Sequence, residues 1–134
     1  MPRTAQGSFE VKVAPLPPDE AIAATSIARY SLDKTYRGDL EGASAGEMMG
    51  AGNPATGRAG YVAVEQFTGA LHGRNGSFAL QHSSTMYDGH YEMNIRVAPG
   101  SGTGDLEGIA GTLTITVGGG NHSYSFEYTL PGSA

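Results

Sequence analysis

Short segments in which apolar and polar residues alternate, punctuated by glycine, dominate the chain. A period of two is the signature of a β-strand with one buried face. Gln6 to Val13 sets Phe9, Val11 and Val13 against Ser8, Glu10 and Lys12. Pro15-Leu16-Pro17-Pro18-Asp19 is expected to end that strand, because proline cannot donate to a ladder. Ile27 to Tyr36 places Tyr30, Leu32 and Tyr36 on one face, opposite Arg29, Ser31, Asp33 and Thr35. Asp39 to Met49 reads as a weaker strand loosened by Gly42 and Gly46, and Gly50 to Gly60 as a mobile loop. Tyr61 to Leu71 and Ser77 to Tyr87 form the clearest pair. Tyr91 to Val97 turns Tyr91, Met93, Ile95 and Val97 one way; Leu113, Ile115 and Val117 then alternate with three threonines. The last strand, Ser123 to Leu130, aligns Tyr124, Phe126, Tyr128 and Leu130.

These are eight strands, and only Asp19 to Ser26 has helical composition, enough for one or two turns. Connections such as His72-Gly73-Arg74-Asn75 and Asp88-Gly89-His90 are hairpin-sized, so neighbours are antiparallel. Eight strands with one apolar face each fit a sandwich or a closed barrel, and only the barrel removes exposed edges. The expected fold is therefore all-β, an eight-stranded antiparallel closed barrel of lipocalin-like general shape. Its interior is filled by side chains or holds one small ligand.

Length supports this picture: 134 residues sustain a single core, so residues 1–134 are expected to form one domain. The formal net charge is −5 and the eight Lys and Arg are scattered, which excludes a basic nucleic-acid stripe. With no cysteine there is no disulfide scaffold, thiolate nucleophile or Cys-type zinc site. No apolar run exceeds four residues, so neither a membrane span nor a secretory segment is expected, and a cytoplasmic location is.

Most apparent motifs dissolve on inspection. Gly42-Ala43-Ser44-Ala45-Gly46 matches a nucleophile elbow, but that chemistry needs a strand–turn–helix on a far longer scaffold. Gly100-Ser101-Gly102-Thr103-Gly104 lacks the lysine and helix of a phosphate loop. Gly38-Asp39-Leu40-Glu41-Gly42 recurs as Gly104-Asp105-Leu106-Glu107-Gly108, which fits a repeated bulge or strand entry better than a duplicated ligand loop. His72, His82, His90 and His122 are too dispersed for paired ligands, so no metal is expected.

The informative pair lies in the central hairpin. With its turn centred between Gly73 and Arg74, Phe67 opposes Leu80, Gly69 opposes Phe78 and Glu65 opposes His82. Phe78, Leu80 and Met86 share a face with His82, so both ionisable groups are expected to point inward. Buried together they must pair, either to fix register or to move protons. Tyr30, Tyr61, Tyr91, Tyr124 and Tyr128 fall on presumed inward faces, with Phe67, Met93 and Phe126, as a pocket lining would. Glu47, with Met49, is expected to add a second inward carboxylate. Val62 and Val64 fall on the outer face, where a β-branched apolar pair invites self-association.

Four stretches carry a resemblance: Tyr36-Arg37-Gly38-Asp39-Leu40-Glu41-Gly42, Glu65-Gln66-Phe67-Thr68-Gly69, Gly73-Arg74-Asn75-Gly76-Ser77-Phe78-Ala79-Leu80-Gln81-His82 and Ser101 to Gly108, with Tyr124 to Leu130 also fitting. On these the chain resembles a family of uncharacterised bacterial proteins whose barrels are related to plant allene oxide cyclase. The resemblance implies an eight-stranded antiparallel barrel and little about activity, since a fold hosts many functions. That cyclase uses an inward glutamate and a cysteine near its substrate, and this chain has no cysteine.

The expectation drawn from all this is a small-molecule barrel acting on an apolar, carbonyl- or lipid-derived compound. Glu65 would be the general base of a cofactor-independent cyclisation or isomerisation, with His82 orienting it or serving as acid. The alternatives are a non-catalytic carrier or sensor of a similar ligand, and a structural module that self-associates.

Overall fold

The computed structural model describes residues 2–118 and 121–131. Its strands are β1 (Arg3–Leu16), β2 (Ala28–Gly38), β3 (Leu40–Asn53), β4 (Arg58–Leu71), β5 (Arg74–Tyr87), β6 (His90–Val97), β7 (Thr103–Gly104), β8 (Ala110–Gly118) and β9 (Asn121–Thr129). They hydrogen-bond in the circular order β4-β3-β2-β1-β9-β8-β6-β5 and back to β4, all antiparallel. Eight strands thus close the barrel. The two-residue β7 lies outside that ring, paired only with Gly76 and Ser77 of β5. No helix among the described residues is long and apolar enough to cross a membrane.

Several elements run further than alternation indicates. β1 continues through Pro15 to Leu16, pairing Pro15 with Tyr30. The β1–β9 ladder ends at Phe9, so from there on β1 has one partner only and tolerates a residue that cannot donate. The expected loop from Gly50 to Gly60 is instead mostly ladder: β3 and β4 pair out to Asn53 and Arg58, joined by a single 3-10 turn at Pro54–Thr56. Asn53 caps that turn by accepting from the Ala55 amide at 3.1 Å.

The β4–β5 turn falls at His72-Gly73, both with positive φ (48° and 80°), as a two-residue hairpin loop requires. The register is therefore displaced from the expected one: Phe67 faces Phe78, Glu65 faces Leu80, and His82 faces Ala63. Because the error is even, every side chain keeps its face.

One end of the barrel is packed solid. Leu40, Leu71 and Leu106 are fully buried there with Phe67, Phe78 and Phe126. Phe78 and Phe126 stack at 5.5 Å, and Phe126 on Tyr128 at 5.4 Å. The duplicated Gly-Asp-Leu-Glu-Gly segments each deliver one of the plugging leucines, at 40 and 106. His72 binds the plug's rim, its Nδ1 lying 2.5 Å from the Tyr128 hydroxyl. The Tyr124 hydroxyl accepts from the Leu40 amide at 2.8 Å and donates to the Arg37 carbonyl at 3.0 Å. A Cβ on Gly7 would sit 2.6 Å from that hydroxyl and 2.0 Å from the Arg37 carbonyl, so only glycine lets β1 approach there. Tyr124→Phe is expected to cost about 1–3 kcal/mol in urea unfolding, because it orphans a buried amide.

Candidate functional site

At mid-height the apolar interior gives way to a polar cluster. β4 places Glu65 inward, fully buried, on the same face as Phe67. β3 approaches β4 closely there. A Cβ on Gly46 would lie 2.0 Å from the Val64 carbonyl oxygen and 2.6 Å from the Glu65 Cα, so the contact requires glycine. Glu65 Oε1 accepts from the Tyr36 hydroxyl at 2.5 Å and the Ser44 hydroxyl at 3.1 Å. Oε2 lies 2.7 Å from Lys34 Nζ and 3.0 Å from His82 Nε2. Neither Oε2 contact is aligned as a hydrogen bond, so charge rather than direction holds that oxygen. Lys34 also lies 5.0 Å above the Phe9 ring, a cation–π contact.

Burial alone would raise the Glu65 carboxyl. The His82 imidazole and the Lys34 ammonium outweigh it and hold the group at about 2. Burial, followed by the Glu65 charge, pushes the Tyr36 phenol far above its ordinary range, so it remains a donor. A carboxylate of that acidity with four partners is a poor proton acceptor at neutral pH, since base strength falls with pKa. His82 turns its Nε2 toward Glu65, as the sequence led us to expect, although the two residues are diagonal rather than opposite neighbours.

Above the cluster the barrel opens into a cup of about 330 Å³. Of the expected lining residues, Tyr30, Tyr61, Met86 and Tyr91 do line it. Burial raises the Tyr61 phenol, Tyr91 and Glu65 adding to the effect and the Ser84 hydroxyl opposing it. Phe67, Phe78, Leu80, Tyr124, Phe126 and Tyr128 are instead core residues. Met93 packs against that core, and neither Glu65 nor His82 reaches the cup wall. Glu47 is corrected outright. It lies on the outer face, where its Oε1 accepts from Arg29 Nη2 at 2.8 Å, and Met48 rather than Met49 faces the cup.

Three members of the cluster escaped the sequence reading. Lys34 sits between Leu32 and Tyr36 on the inward phase of β2, and that phase was the available signal. Alternation marks Tyr36 as inward, but nothing in the sequence marks it as a partner of Glu65. Ser44 lies in a strand of alanines and glycines whose alternation carries no phase at all. Among the described residues no group of three or more His, Asp or Glu converges as a metal site.

Fold and site together define a class: a closed antiparallel β-barrel, sealed at one end, open as an apolar cup at the other, with a buried ionic cluster between. The chain belongs to DUF3224, a family of proteins of unknown function, which its residues 5–128 match. It is similar to the crystal structure of a DUF3224 protein of unknown function from Shewanella oneidensis MR-1. The two share 40% identity with a TM-score of 0.89, over 99% of this chain and 100% of that one. No curated protein matches.

Proposed function

We propose that the protein binds a small, mainly apolar molecule in the open end of its barrel and does not transform it. The cup itself carries the reading. Its volume of about 330 Å³ lies at the lower end of ligand sites, about 300–1,000 Å³. Its wall sets three tyrosines and two methionines among glycines and alanines, the mix of adaptable apolar surface and few polar tips such sites use. A carrier or sensor role is favoured over the cyclase or isomerase alternative because the Glu65–His82 pair is buried within the barrel and stands back from the cup wall. On this reading the cluster is a rigid floor support, holding β2, β3, β4 and β5 at fixed spacing beneath the guest.

The neutral dye N-phenyl-1-naphthylamine tests this. Its emission is expected to rise and shift to the blue with the wild-type protein. Ala28→Trp, which fills the cup at its rim and leaves the core untouched, is expected to abolish the response while the melting temperature stays within a few degrees. Dye binding that persists in Ala28→Trp, or is absent from the wild type, would remove the proposal.

A further inference from the structure

We propose that the cup selects a small, uncharged, flat-ring compound, and that Gly50 sets the thickness of the slot this ring enters. The inference deepens the proposed function and rests on it.

Charge is the first argument. None of the residues lining the cup is Asp, Glu, Lys, Arg or His. A charged guest would leave water without meeting a counter-ion, which is costly. The buried charges of the cluster below it, Lys34 and Glu65, already neutralise each other at 2.7 Å.

Shape is the second. Ala28 pairs across the ladder with Gly50, and Ala59 with Gly52, so main chain and methyl groups form one continuous stretch of wall. Tyr61 stands beside Gly50 on β4, and Tyr91 lies three strands round the barrel on β6. A plate-shaped guest covers a side-chain-free wall most completely. The tyrosine rings can meet its face or edge in the offset and T-shaped arrangements aromatic groups prefer.

Gly50 supplies the third. At Gly46, four residues earlier on the same face, the fold forbids any side chain. At Gly50 the nearest atoms to an added Cβ are the Gly60 carbonyl oxygen at 3.5 Å and the Tyr61 Cβ at 3.8 Å, ordinary contacts. Its φ is not in the left-handed region either. The barrel therefore has no need of glycine at 50, although glycine weakens a strand interior. What a side chain there would take up is room in the cup.

The test uses 2-naphthol, its charged counterpart 2-naphthoate and the compact, non-planar 1-adamantanol, with affinities from calorimetry at pH 7. Wild-type protein is expected to bind 2-naphthol about tenfold or more tighter than either of the others. Gly50→Val is expected to weaken 2-naphthol by at least about tenfold, the discrimination a group of one or two methylenes supports. Gly50→Ala should fall between, and both variants should melt near the wild type. Naphthoate binding as tightly as naphthol overturns the charge argument, and adamantanol doing so overturns the flat slot. Unchanged naphthol affinity in Gly50→Val, or in Gly50→Ala should the valine variant not fold, overturns the role of Gly50. In each of those cases N-phenyl-1-naphthylamine still binds and the cup reading stands; loss of dye and naphthol binding together sinks both.

Discussion

Glu65→Gln is expected to lower folding stability by about 3–5 kcal/mol, measured by urea unfolding at pH 7 without any ligand. The side chain keeps its shape, so the loss comes from charge. Lys34 Nζ sits 2.7 Å from Glu65 Oε2 with its side chain only 5% exposed, and the substitution leaves it buried and uncompensated. Removing both charges is a different matter. The double variant Lys34→Met, Glu65→Gln is expected to recover most of the loss, because replacing a buried ion pair by neutral groups of similar volume is often near neutral. The recovery is the informative part: two independent sites would show additive losses instead. If the single variant unfolds within about 1 kcal/mol of the wild type, Lys34 and Glu65 do not form a desolvated pair.

Acid should remove the same contribution. The Glu65 carboxyl lies at about 2 in the folded protein against an ordinary 4.5. The unfolded chain therefore binds its proton first as pH falls, and stability drops. The Glu65 contribution is complete above pH 4.5, declines below it and is gone once pH passes below about 2. At about 1.4 kcal/mol per pH unit the total is about 3–4 kcal/mol. Other carboxylates titrate in the same window, so the measurement is the gap between wild type and Glu65→Gln. That gap should be widest at pH 6, narrow steadily below pH 4.5, and change little with salt, because a pair sealed from solvent is weakly screened. A gap that stays constant down to pH 2 would show that Glu65 is not held ionised by its neighbours.

The barrel was legible in the sequence because alternation is strong wherever an interior position is aromatic or aliphatic. Phe9, Leu32, Phe78, Ile95 and Phe126 announce their faces, and hairpin-length gaps dictate an antiparallel meander. Where the inward positions are glycine, serine or lysine the signal fails. The phase of Glu47 is misleading because β3 between Leu40 and Gly50 offers only Gly42, Ser44, Gly46 and Met48 on its inward side, and these do not fix it. Lys34 gives no inward signal because a cation between an aspartate and a threonine reads as a solvated face. Burial of that cation depends on Glu65, a residue 31 positions away whose approach relies on Gly46. Pairing of Glu65 with His82 survived a wrong register because the displacement was even. The division into plug and cup follows from which tyrosines lie at which end of their strands, information that exists only once the register is known.

The circular pairing order sets a hierarchy in how the chain can assemble. Seven of the eight joins connect strands that are consecutive around the meander, and most are hairpins whose closure entropy is small. The eighth, β1 with β9, brings Ala5 to Phe126 across nearly the whole chain. Loop-closure entropy grows with the logarithm of the intervening length, so this last seam carries the largest closure cost of the eight. Until it closes, two bare ladder edges face outward and present the surface by which one copy can invade another. Crowded refolding is where this architecture is most vulnerable.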